Sequence, residues 1–169
     1  MEFSDLEKTV ERILQNLVGK CCWGFVAGEG TGSTVSLDFG KKVPLQVPNK
    51  NPLLTEDQRK YEGEINLFIE SPWTLTSESG IVCSSDDPDD NDGPMVQGLW
   101  KIVNKQVRNV KILKPSHDLI INFEGKFTLN IICNQMENEY DNYSVFMGNE
   151  IYIVGPKGQI SRQERGTKR

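Results

Sequence analysis

The sequence predicts an α+β protein, mostly β, built as two similar helix-plus-antiparallel-sheet units packed together, as an internal duplication would produce. Three observations lead there. A single strong helical stripe opens the chain, apolar alternation and short apolar runs fill most of the remaining residues, and short patterns of the first half recur about 84 residues later. A sheet of four or five strands cannot cover its own apolar face, whereas two can cover each other.

Phe3, Leu6, Val10, Ile13, Leu14 and Leu17 form one stripe of period 3.6, which predicts a helix over 5–18. Ser4 is placed to cap it, Glu7 stands three residues on, and Gly19 is placed to stop it. Strands are then expected at 22–27, 34–39, 64–70, 73–75 and 80–84, and again at 106–113, 119–123, 127–133, 143–147 and 150–154. Met95, Leu99, Ile102 and Val103 share one face of a short helix that opens the second set.

The likeness between the sets is specific at three places. Leu17-Val18-Gly19-Lys20 matches Ile102-Val103-Asn104-Lys105, and Val35-Ser36-Leu37-Asp38-Phe39 matches Leu119-Ile120-Ile121-Asn122-Phe123. Asn66-Leu67-Phe68-Ile69 echoes Leu129-Asn130-Ile131-Ile132, and an insert at 44–63 belongs to the first half alone. The expected organisation is therefore a first unit at 1–84, an acidic linker at 85–94, a second unit at 95–155 and a frayed basic tail at 156–169.

At 169 residues, 37% hydrophobic and 25% charged, the composition is globular and lacks a membrane-spanning run. The net charge is −5 although the last thirteen residues hold five cations against one acid, so the body is acidic. That argues against a nucleic-acid partner, whose phosphates require a basic face. No signal-peptide pattern opens the chain. Cys21, Cys22, Cys83 and Cys133 read as reduced thiols, so the expected compartment is the cytoplasm.

Few residues offer chemistry. Gly28, Gly30 and Gly32 suggest a phosphate loop, but 34–39 reads as a strand where a dinucleotide site needs a helix. An EF-type calcium loop centred on Gly93 fails, because it sets Pro88 at the first ligand position and Leu99 at the last. His117 is the one histidine and sits in a turn-forming run, so neither a zinc set nor a nucleophile–histidine pair is evident. No cofactor, metal or catalytic residue is expected. Two readings remain. One is a non-enzymatic protein-binding module whose aspartates Asp86, Asp87, Asp89, Asp90 and Asp92 meet a cationic partner. The other is a small-ligand binder or enzyme with a site between the two sheets, around Trp23, Gly28, Gly30, Gly32 and His117.

The segment from Cys22 to Ser33 (Cys-Trp-Gly-Phe-Val-Ala-Gly-Glu-Gly-Thr-Gly-Ser), with Leu37-Asp38-Phe39-Gly40, Asn51-Pro52 and Glu62-Gly63-Glu64, resembles an uncharacterised family of small bacterial proteins. The resemblance runs over most of the chain to Val154 and brings no activity with it. The later strands, with Leu-Ile-Ile-Asn-Phe and Phe-Thr-Leu-Asn-Ile, are more loosely similar to immunity-type proteins encoded beside contact-dependent toxins. That likeness implies a basic toxin domain as partner.

Overall fold

The computed structural model describes residues 2–134 and 140–166, with side chains from Asp5 onward. Helix α1 (Glu2–Gln15) leads into β1 (Cys21–Val26) and β2 (Val35–Pro44). Helix α2 (Glu56–Lys60) precedes β3 (Tyr61–Ile69), and the hairpin β4 (Trp73–Ser77) and β5 (Gly80–Ser84) ends the first set. Helix α3 (Pro94–Leu99) then leads to β6 (Lys105–Leu113), β7 (Asp118–Phe123) and β8 (Phe127–Ile131). The hairpin β9 (Tyr143–Met147) and β10 (Glu150–Val154) is followed by β11 (Ile160–Glu164). Among the described residues no helix is long and apolar enough to cross a membrane.

All eleven strands join one antiparallel sheet in the order β11-β10-β9-β3-β2-β1-β6-β7-β8-β4-β5. Only two residue pairs, Cys21 with Gln106 and Cys22 with Lys105, join β1 to β6. The sheet bends there. In a flat sheet β2 and β7 would lie about 14 Å apart, three strand spacings. Instead the rings of Phe39 and Phe123 stack with centroids 6.4 Å apart. The two arms thus cover each other, with Leu37, Phe39, Leu67, Leu75, Ile121, Leu129 and Val145 buried between them. Helix α1 seals one side, burying Val10, Ile13 and Leu14, while Gln15 Nε2 donates to Val110 O of β6 at 2.9 Å.

The arrangement has an internal two-fold relation. Exchanging β1–β5 with β6–β10 reverses the order β10-β9-β3-β2-β1-β6-β7-β8-β4-β5 onto itself. Register obeys it too. Cys22 pairs with Phe39 and Gly24 with Asp38 across a bulge at Trp23, just as Val107 pairs with Phe123 and Asn109 with Asn122 across a bulge at Arg108. Gly19 N–H donates to Val107 O at 2.8 Å, and its counterpart Asn104 N–H donates to Cys22 O at 2.6 Å. Both residues take positive φ, 88° and 66°, where the preceding helical turn ends. Trp73 Nε1 donates to Ser33 O and Tyr143 Oη to His117 O, again at equivalent positions.

Several expectations meet a different outcome. The two units interlock: hairpin β4–β5 pairs with β8, and β9–β10 pairs with β3, so each unit completes the other's sheet. The third echo is one residue out of step. Register sets Leu67 equivalent to Leu129 and Ile69 to Ile131, since Trp73 pairs with Ile131 as Tyr143 does with Ile69. A one-residue slip would have turned these side chains out of the core. Helix α1 begins at Glu2, before Ser4, whose side chain lies outside the described ones. The tail expected to fray carries β11, which satisfies the open backbone edge of β10 and buries Ile160. Arg162 pairs with Glu150 on the adjoining β10, and Arg165 with Glu62 on β3. Residues 167–169 of that tail lie outside the described ones.

Candidate functional site

The acidic segment and the glycine segment meet. Gly28, Gly30 and Gly32 adopt φ of 130°, 88° and 63°, which side chains resist, and this turns successive N–H groups to one side. Gly30 and Gly32 N–H donate to Asp89 Oδ2 at 3.2 and 3.0 Å, and Glu29 N–H donates to Asn91 Oδ1 at 3.0 Å. A Cβ on Gly28 would stand 2.6 Å from Asn91 Oδ1. The anion received by the glycine loop is thus the chain's own carboxylate. Asp87 is also engaged, accepting from Ser84 N–H at 2.7 Å. Asp86, Asp90 and Asp92 remain exposed. Residues 85–94, expected as a linker, are therefore a loop laid on the β1–β2 connection.

Trp23 and His117 lie elsewhere, and neither faces the interior between the arms, which core side chains fill. Trp23 is the bulged residue of β1. Lys42 Nζ stands 5.2 Å from its ring centroid and pairs with Asp57 at 2.6 Å. His117 occupies the β6–β7 turn with φ 67°, buried, its Nε2 3.1 Å from Glu7 Oε1 of α1. Lys114 joins the same helix at Glu11 and Glu7. Burial of Glu7 pushes its carboxyl up, yet the hydrogen bonds from His117 and Lys114 prevail and hold it below the usual glutamate value. This group fastens α1 to the sheet.

A cavity of about 440 Å³ opens on the outer face of β1–β3, beneath the insert. Its floor is polar. Asp38 points away from Leu37 and Phe39, to a face that water would ordinarily reach, yet it is only 6% exposed. Asp38 Oδ1 accepts from Gly63 N–H at 3.0 Å and from Asn66 Nδ2 at 2.9 Å, and Asn66 Nδ2 also donates to Ser36 Oγ at 2.8 Å. Burial pushes the Asp38 carboxyl above its ordinary value, beyond what those two hydrogen bonds reverse.

The roof is anchored by α2. Thr55 Oγ1 accepts from Gln58 N–H and Gln58 Oε1 accepts from Thr55 N–H, a capping box that fixes a five-residue helix. Gln58 Nε2 then donates to Phe25 O on β1. Gly24 lies directly beneath that amide: a Cβ there would stand 3.5 Å from Gln58 Nε2, an ordinary van der Waals contact. Leu45 N–H to Lys60 O and Asn49 N–H to Arg59 O close the loop, and Val26, Leu45, Val47 and Leu54 give the cavity apolar walls. In the second unit the place of Asp38 is taken by Asn122, which accepts from Thr128 Oγ1 at 2.8 Å. No insert lies between β7 and β8, so the roof belongs to the first unit alone.

Sequence reasoning passed over Asp38, Asn66 and Gln58. Two signals pointed to them: an aspartate inside the apolar run 35–39, and Thr55-Glu56-Asp57-Gln58, which has capping-box spacing. Comparison with known protein families, with curated proteins and with solved structures found no match.

Proposed function

We propose that this protein is a non-enzymatic binding module of the bacterial cytoplasm that neutralises a basic toxin domain, as immunity-type proteins do. The observation that carries the reading is the clamped acidic loop. Asp89 and Asn91 are spent on the glycine loop, so Asp86, Asp90 and Asp92 are presented from an ordered backbone. Ordering before binding lowers the entropy lost on association, and an exposed acidic set attracts a cationic face at long range. The acidic body and the likeness of the later strands to immunity-type sheets support the same partner and disfavour nucleic acid.

The test is coexpression with the toxin-like product of the adjacent reading frame. The native chain should restore growth, and the purified pair should associate faster at low salt. Changing Asp86, Asp90 and Asp92 to Asn should slow association about tenfold at low ionic strength and flatten its salt dependence. Unchanged protection together with an unchanged association rate would refute the reading.

A further inference from the structure

We propose that the cavity beneath the insert is a binding site for an organic cation, an ammonium or guanidinium carried on a short alkyl stem. The acidic loop has no part in it. What matters is what the cavity wall has left to offer. The donors that flank Asp38 are already engaged: Asn66 Nδ2 on Ser36 and Asp38, Gln58 Nε2 on Phe25 O, and Gly63 N–H on Asp38. Both hydrogen bonds to Asp38 fall on Oδ1.

Two of the nearby cations are engaged with other acids. Arg165 Nη1 holds both oxygens of Glu62 at 2.8 and 2.9 Å, and Lys42 pairs with Asp57. Lys50, the cation of the lining, is itself exposed. Among the described residues no basic side chain pairs with Asp38. A carboxylate this deeply buried is neutralised by a proton or by a counter-ion, because desolvation disfavours the lone charge. Here the counter-ion position opens onto a cavity, and the roof supplies Leu45, Val47 and Leu54 against which an alkyl stem can lie.

The second unit shows what the same scaffold does without a ligand to hold. Its equivalent residue is the neutral Asn122, with no insert above it. Charge and roof occur together in the first unit and are both missing from the second. A free metabolite and an arginine or lysine side chain from a partner protein present the same chemistry.

The probe is n-butylguanidinium, with n-butylurea as its neutral isostere, followed by titration calorimetry and by the side-chain amide signals of Asn66 and Gln58 in NMR spectra. Butylguanidinium should saturate and shift both amides, with butylurea at least about tenfold weaker. Asp38→Asn should remove that preference while the fold persists, as Asn122 does in the second unit. Should that variant lose its fold, Val47→Lys adds a like charge at an exposed wall residue and should weaken the guanidinium alone. Changing Asp86, Asp90 and Asp92 to Asn should leave both affinities unchanged, which separates this site from the acidic loop. Acetyl-arginine methylamide tells the sources apart: binding as tight as butylguanidinium assigns the site to a partner's side chain, and exclusion assigns it to a free cation. Equal affinity for butylguanidinium and butylurea, no binding of either at millimolar concentration, or full guanidinium affinity in Asp38→Asn would overturn the proposal.

Discussion

Asp38 shows how a single residue departs from its local pattern. The run 35–39 is apolar at Val35, Leu37 and Phe39, and in a two-layer fold the residues between them face water. Asp38 follows that alternation and is nonetheless buried, because 44–60 fold back over it. Its raised pKa has a thermodynamic consequence. Between the unfolded value near 3.8 and the higher folded value, the folded state holds the proton more often than the unfolded state does. Stability from this group therefore falls as pH rises through that window and stays lower above it. Asp38→Asn keeps an Oδ1 acceptor for Gly63 and Asn66 and removes the charge. The variant should melt a few degrees higher than the native chain at pH 7 and no higher at pH 3.5, as followed by thermal unfolding across pH. An equal gain at both values would mean that charge burial is not the cause. Cys22 and Cys83 carry less surprise: burial pushes both thiols to about 12, as suits small apolar packing groups.

At the scale of elements, ordinary patterns read well where burial is local and repetitive. The α1 stripe buries Val10, Ile13, Leu14 and Leu17, and β3 and β7 alternate cleanly between buried and half-buried residues. Ten of the strands lie close to where alternation sets them, and 80–84, 143–147 and 150–154 match to the residue. What alternation misses is pairing that depends on a partner far away in sequence. Strand β11 has one buried side chain, Ile160, and exists because β10 offers an open edge. Loop 85–94 is held by the same kind of distant contact. Replacing Asp89 by Ala removes the acceptor for Gly30 and Gly32 and should cost about 1 kcal/mol of stability, since a charged acceptor is lost at a partly exposed site. Exchange of those two amide protons should quicken well beyond that of β1–β2. Unchanged exchange at Gly30 and Gly32 would show that the clamp does not order the loop.

The whole molecule is set by the exchange of hairpins about the β1–β6 junction. Each hairpin follows its own unit in sequence but extends the other's sheet, and Trp73 and Tyr143 hydrogen-bond back across the interior to their own halves. Cutting the chain between the halves therefore leaves each fragment with a hairpin that has no strand to join. Residues 1–90 and 91–169, made separately, should lack the dispersed amide spectrum and sharp melting of the intact chain. Coexpressed, they should copurify and regain both. A fragment that folds alone as a monomer would show that the two sheets are independent. None of the core side chains comes from the long segment 44–63, so its length costs little.

From sequence alone came the helix, the strands and their inward faces, and the matching of Leu37 and Phe39 with Ile121 and Phe123. These follow from periodicity, which records burial over a few neighbouring residues. Tertiary structure alone decided the sheet order, the strand status of the tail, the union of the acidic and glycine loops, and the cavity over Asp38. Each of those depends on groups tens of residues apart, such as Gly30 with Asp89 or Phe25 with Gln58, whose local sequences carry no trace of the partner.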